Sequence, residues 1–173
     1  KSALVLSSLL ITEHACVWVA TYAALGLWLS ALIPLAYQVL SLLGLALFAR
    51  TKRYNLYRAS QVLLILVLPF LLQWSLGGFV ESGAVALWAF VAPLGALVFY
   101  GPRAAVGWFC GFAALVVVSA AIDERLPAPD PPLAAWLVLT FFTLNVLGPA
   151  VTTFALLEYF VRSRDRAYRL LAV

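Results

Sequence analysis

Charge is what this 173-residue chain has least of: only 10% of its residues are Asp, Glu, Lys or Arg, against about 25% in a soluble domain. That is too little polar surface for a water-soluble fold, so a soluble enzyme, a nucleic-acid-binding domain and a disordered tail are excluded together. Histidine occurs once and methionine not at all, and the two lysines are Lys1 and Lys52. One histidine cannot make a bis-histidine haem, and lysines confined to basic flanks leave no intramembrane Schiff base for retinal. The two cysteines, Cys16 and Cys110, match no CxxC or zinc spacing and read as small packing residues inside apolar segments. There is no Walker motif, no HExxH, no paired carboxylates in a water-filled site and no Ser/His/Asp set. No repeated polar-plus-glycine segment suggests a carrier's inverted repeat.

What is present is hydrophobic sequence. Apolar residues make up 65% of the chain and the mean hydropathy is +1.05, so lipid is the solvent for most of it. The length accommodates about six crossings of roughly 20 residues each. The expected spans are Ala3–Leu25, Leu27–Ala49, Ala59–Leu76, Ala84–Tyr100, Ala104–Ile122 and one that starts near Leu133 and continues past Phe160. Gly26, the Arg50–Arg53 cluster, Gly77-Gly78 with Glu81-Ser82-Gly83, Gly101-Pro102-Arg103 and the proline-rich run Asp123–Pro132 punctuate them. The apolar opening resembles a signal peptide, but no small-x-small cleavage site follows, and it reads as a transmembrane helix. Lysine at position 1 reads as the interior of a longer product. The runs are too long and do not alternate as β-barrel strands do. The expectation is an all-α polytopic membrane protein with six helices.

The basic residues orient it. With the N-terminus inside, Lys1, Arg50, Lys52, Arg53, Arg58, Arg103, Arg162, Arg164, Arg166 and Arg169 all fall on the inner side, and Arg125 alone falls outside. That is the asymmetry of the positive-inside rule, and it puts both termini in the cytoplasm. Tyr22, Trp28 and Trp136 then fall near the outer interface, where aromatic belts form.

A few polar side chains fall at lipid depth. Glu13 and His14 sit within the first span, where a carboxylate costs about 2.5–3.5 kcal/mol on insertion scales. They are candidates for a ligand or coupling site, together with Gln73 near the outer end of the third span and Asn145 in the sixth. Each also has a plain reading as an interhelical hydrogen bond, Asn145 to a neighbouring helix or to a carbonyl freed by Pro149. Pro34, Pro69 and Pro93 recur inside other spans and read as kinks. Gly107 and Gly111 form a GxxxG pair, suited to a dimer face or to close packing within the chain. Past Tyr159 the chain turns charged without a breaker, so residues 1–158 read as the membrane domain and 159–173 as the start of a cytosolic stalk. The pairs Glu158–Arg162 and Asp165–Arg169, each four apart with the acid first, suit a helix continuing into water.

Several strings in order carry a family likeness: Leu32-Ile-Pro-Leu-Ala-Tyr37, Leu76-Gly-Gly-Phe-Val80, Ala84-Val-Ala-Leu-Trp88, Ala92-Pro-Leu-Gly-Ala96, Phe99-Tyr-Gly-Pro-Arg103, Glu158-Tyr-Phe-Val-Arg162 and Arg164-Asp-Arg-Ala167. Together they resemble the six-helix membrane anchor of bacterial class III adenylate/guanylate cyclases, over nearly the whole chain. The resemblance implies a homodimer in the bacterial inner membrane. Its last helix would lead into a downstream cytosolic domain that converts ATP to cyclic AMP and pyrophosphate with Mg or Mn held by two aspartates. None of those catalytic residues, and no metal or other cofactor, falls in this chain. Its partners would be the lipid bilayer, a second copy and the downstream domain, with no nucleic acid and an unknown ligand. Two alternatives stay open: a sensor module on another output such as a histidine kinase, and a small free-standing carrier.

Overall fold

A computed structural model of the chain describes residues 16–171, with the side chains of residue 163 and residues 165–171 excepted. The described residues are helical and contain no strand. Helix α1 covers residues 16–24 and ends at Gly26, whose φ of 74° makes the turn. Helix α2 is Trp28–Thr51, α3 is Tyr54–Ser75, α4 is Val91–Tyr100, α5 is Pro102–Ile122 and α6 is Ala135–Leu171, with a 3-10 segment, Val85–Phe90, leading into α4.

Among the described residues, four stretches are long and apolar enough to cross a bilayer: Trp28–Thr51, Tyr54–Ser75, Pro102–Arg125 and Ala135–Arg162. The fourth expected span is different, since Val85–Tyr100 begins as a 3-10 segment and is shorter than the others. Its sequence explains this. Ala86, Ala89 and Ala92 recur every three residues, the period of a 3-10 helix, and all three lie in the core. Ala96 then follows at the α-helical interval of four, also fully buried. The small side chains let this segment lie close to α3.

Element boundaries also move. The third helix starts at Tyr54 rather than Ala59, because Tyr54, Tyr57 and Arg58 are helical residues engaged with neighbouring elements rather than part of a loop. Lys52 closes α2 in the left-handed conformation (φ 55°), its N–H donating to the Phe48 carbonyl, so only two residues separate α2 from α3. Pro102 opens α5, where its missing N–H costs nothing.

Helix α3 is central, packed against α2, the 3-10 segment, α4 and α5, whereas α6 meets the bundle mainly through the 3-10 segment and α4. One apolar cluster joins Val62, Leu66 and Phe70 of α3 to the alanine row and Ala105. The other joins Tyr22, Ala31, Leu72, Leu76, Val85 and Phe141. Tyr22 therefore belongs to the core, with no exposure, and not to an interfacial belt, whereas Trp28 and Trp136 are 68% and 69% exposed. Trp18 and Phe141 hold the Tyr22 ring, with centroids 5.7 Å away in each case.

Polarity is distributed as in a membrane protein. Buried polar side chains include Ser30, Ser41, Gln61, Gln73, Ser82, Ser119 and Asn145, while Leu29, Val117, Leu139 and Phe154 stand at least 66% exposed. An apolar surface of this extent would aggregate in water and is satisfied by lipid.

Candidate functional site

Asn145 lies on α6 with no solvent exposure. Its amide nitrogen donates to the carbonyls of Ser82 (3.2 Å) and Gly83 (3.1 Å), and its Oδ1 accepts the Trp88 indole N–H at 3.1 Å. The amide thus ties α6 to the turn and 3-10 segment beneath it, through partners in another element rather than through a carbonyl of its own helix. Two glycines permit the approach. A Cβ at Gly83, whose φ is 60°, would stand 2.6 Å from the Phe142 backbone nitrogen. A Cβ at Gly148 would stand 2.3 Å from Trp88 Cζ2. Asn145 and Gly148, three apart, share the α6 face that receives Trp88.

Gln73 is equally buried, yet among the described residues neither its Oε1 nor its Nε2 has a hydrogen-bond partner. Its backbone is engaged, since the Gln73 carbonyl accepts the N–H groups of Leu76 and Gly78. Gln73 therefore starts the turn that Asn145 closes from the other side, but no hydrogen bond joins the two side chains. Glu13 and His14 lie outside the described residues. Nearby, Ser30 and Ser75 share a hydrogen bond of 3.0 Å between α2 and α3, and Trp74 donates to Ser119 on α5 at 2.8 Å. The Asp123 carboxylate accepts the Phe79 N–H at 3.0 Å and fills the space beside Gly78.

At the opposite end, Arg58 of α3 donates to the Phe99 carbonyl at the end of α4 and to Asn55 Oδ1 at 3.1 Å. Its guanidinium lies 3.7 Å from the Tyr100 ring centroid, a cation–π contact. A cation there also suits the partial negative charge at the α4 C-terminus. Arg58 thus brings the α2–α3 turn and the α4–α5 turn to one side of the bundle.

The GxxxG pair divides. Gly111 faces Leu66, whose Cδ2 would be 3.6 Å from an added Cβ, while Gly107 has open space around it. Among the described residues, close packing of this pair within the chain therefore uses Gly111 alone. No disulfide joins the cysteines, and both are exposed at the chain's own surface rather than packed within it. Cys16 accepts a hydrogen bond from Gln38 Nε2 at 3.0 Å. On α6, Glu158 and Arg162 form the expected pair at 2.5 Å; the side chains of Asp165 and Arg169 are outside those described.

Sequence reasoning missed Trp88, Gly83, Gly148 and Ser119. Trp88 was available only as part of a string, and nothing local marks which tryptophan meets an asparagine 57 residues away. Among the described residues, no group of three His, Cys, Asp or Glu side chains could hold a metal ion. Comparison with protein-family models, curated proteins and solved structures returned no match.

Proposed function

We propose that the chain is the six-helix membrane anchor and transducer of a homodimeric class III cyclase, with both termini in the cytoplasm of a bacterial cell. The observation that carries the reading is α6: 37 residues without interruption. At 1.5 Å per residue this is about 55 Å of helix, against a hydrocarbon core of roughly 30 Å. A helix that outlasts the bilayer suits the transmission of tilt or rotation to an attached domain. Asn145 gives such a rod a fixed seat in the bundle. Beyond Pro149 an apolar cleft between α6 and α4 is lined by Leu94, Leu97, Val98, Thr153, Leu156 and Phe160.

The charge distribution supports the orientation. Arg58 joins the turns that carry Arg50, Lys52, Arg53 and Arg103 at one side, and the stretch of α6 just before its arginines, Thr153 to Phe160, lies beside α4. Catalysis, ATP to cyclic AMP and pyrophosphate, would belong to the domain after α6. That domain would also hold the Mg or Mn.

Three experiments test the parts of this reading. Reporter fusions after Lys52, Arg103 and Leu171 should report cytoplasm and one after Ala128 the outside; any other pattern ends the six-span topology. The full reading frame, expressed in cyclase-deficient bacteria, should raise cyclic AMP. No cyclic AMP with autophosphorylation instead would move the anchor to a histidine kinase. Solubilised protein should sediment as two copies, and a monomer in native-like lipid would remove the dimer.

A further inference from the structure

The segment from Gly83 to Tyr100 and helix α6 run alongside each other in the same direction. Gly83 lies against the Phe142 backbone, and Trp88 meets Asn145 and Gly148. Further on, Leu94, Leu97 and Val98 of α4 line an apolar cleft together with Leu156, Leu157 and Phe160 of α6. The lining residues are one face of each helix: positions 94, 97 and 98 on α4, and 153, 156, 157 and 160 on α6. Leu97, Leu157 and Phe160 are half-exposed, so the cleft opens toward lipid.

Two arginines stand where this cleft ends. Arg164 follows Phe160 by four residues and Leu157 by seven, so it continues the cleft face of α6, about 6 Å further along the axis. Helix α4 stops at Tyr100, and Gly101-Pro102 turns the chain into α5 with Arg103 in its first turn. Carried past the cleft, the parallel course of the two segments puts Arg103 and Arg164 at the same end of the bundle. Both are exposed. Their neighbours are engaged elsewhere: Arg58 lies on the Tyr100 ring and donates to the Phe99 carbonyl, and Arg162 pairs with Glu158. The α2–α3 and α4–α5 turns at this end contain no acid. From residue 16 to residue 122 the sequence holds a single one, Glu81, and it lies in the turn at the far end, whose Phe79 N–H donates to Asp123.

A hydrocarbon slot that ends among cations has the chemistry of an acyl chain joined to an anionic head. A second copy of this chain is the poorer occupant, because at this level it carries the same positive charge. We propose that the α4–α6 cleft binds an anionic phospholipid, with an acyl chain along Leu97, Leu157 and Phe160 and the phosphate held by Arg103 and Arg164. The site depends on the bundle alone and holds whatever output domain α6 serves.

The test uses the whole chain, extracted in mild detergent with equal amounts of phosphatidylglycerol and phosphatidylcholine, and reads retained lipid by native mass spectrometry. Phosphatidylglycerol should be retained in preference. Arg103→Gln and Arg164→Gln should each reduce that preference about fivefold, the weight of one cation near a headgroup, while Lys52→Gln in the α2–α3 turn should leave it unchanged. Leu97→Trp narrows the cleft and should reduce retention of both lipids. Equal retention of the two lipids by the unaltered chain overturns the site. So does the same loss in Lys52→Gln as in the arginine variants, the result of net charge alone, or full retention by a folded Leu97→Trp. Two chains that associate without lipid and separate on Leu97→Trp would give the cleft to a second copy and overturn it as well. The arginines are exposed, so their variants decide even where Leu97→Trp fails to fold.

Discussion

Asn145 and Gln73 are both side-chain amides with no solvent exposure, and they end in opposite conditions. Asn145 makes three hydrogen bonds to elements distant in sequence, and among the described residues Gln73 makes none with its side chain. The difference teaches that depth in an apolar chain does not assign a role. Asn145 is short, sits on a helix edge facing a turn, and meets two carbonyls and an indole there. Gln73 stands at the end of α3, where the turn is closed by backbone N–H groups that use its carbonyl and leave its amide over. A satisfied amide fixes one packing arrangement, whereas an unsatisfied one weakens the arrangement it sits in.

The largest effect should come from the turn that serves Asn145. Gly83→Val adds a branched side chain at a positive φ and against the α6 backbone, and should cost about 4 kcal/mol or more. Loss of folded yield in detergent would show it, and near-normal yield would mean the turn is not seated on α6. Asn145→Leu comes next. It strands the Trp88 N–H and two carbonyls, and should destabilise by about 3 kcal/mol in a denaturant titration. Gln73→Leu sharpens the contrast by reversing the sign. It removes two unpartnered atoms at nearly constant volume and should stabilise by about 1 kcal/mol. A loss as large as that of Asn145→Leu would show that the Gln73 amide is partnered after all, and the comparison would fail. The smallest change is Glu158→Gln on the exposed stalk, about 0.3 kcal/mol and fading with added salt, read as helicity of the α6 end.

Much of the helical framework was legible because lipid imposes it. Long apolar runs, Gly26, Gly101-Pro102 and the basic clusters mark where helices end, and α2, α5 and α6 begin or stop within two residues of the expected places. The proline-rich Asp123–Pro132 connection likewise separates α5 from α6. The start of α3 was less legible, since Tyr54–Arg58 reads as a polar loop until Tyr100 and the Phe99 carbonyl are beside it. The 3-10 segment was also hidden. Its alanines recur every three residues, but apolar composition alone does not separate that period from the α-helical one.

The candidate residues were less legible still. Asn145 was found because an amide in a long apolar run stands out, but its partner Trp88 and the glycines that admit it carry no local mark. Tyr22 reads as interfacial from its position near a helix end, and the structure puts it in the core because Trp18, Leu72 and Phe141 converge there.

The sequence by itself determined the solvent, the helical class and the approximate ends of the helices, because hydropathy and chain breakers act over a few neighbouring residues. Only the tertiary structure decided which polar groups are satisfied, which tyrosine is core and which glycine is an open face. Those outcomes depend on residues tens of positions apart meeting in space, and a hydrogen bond exists only where both of its ends arrive.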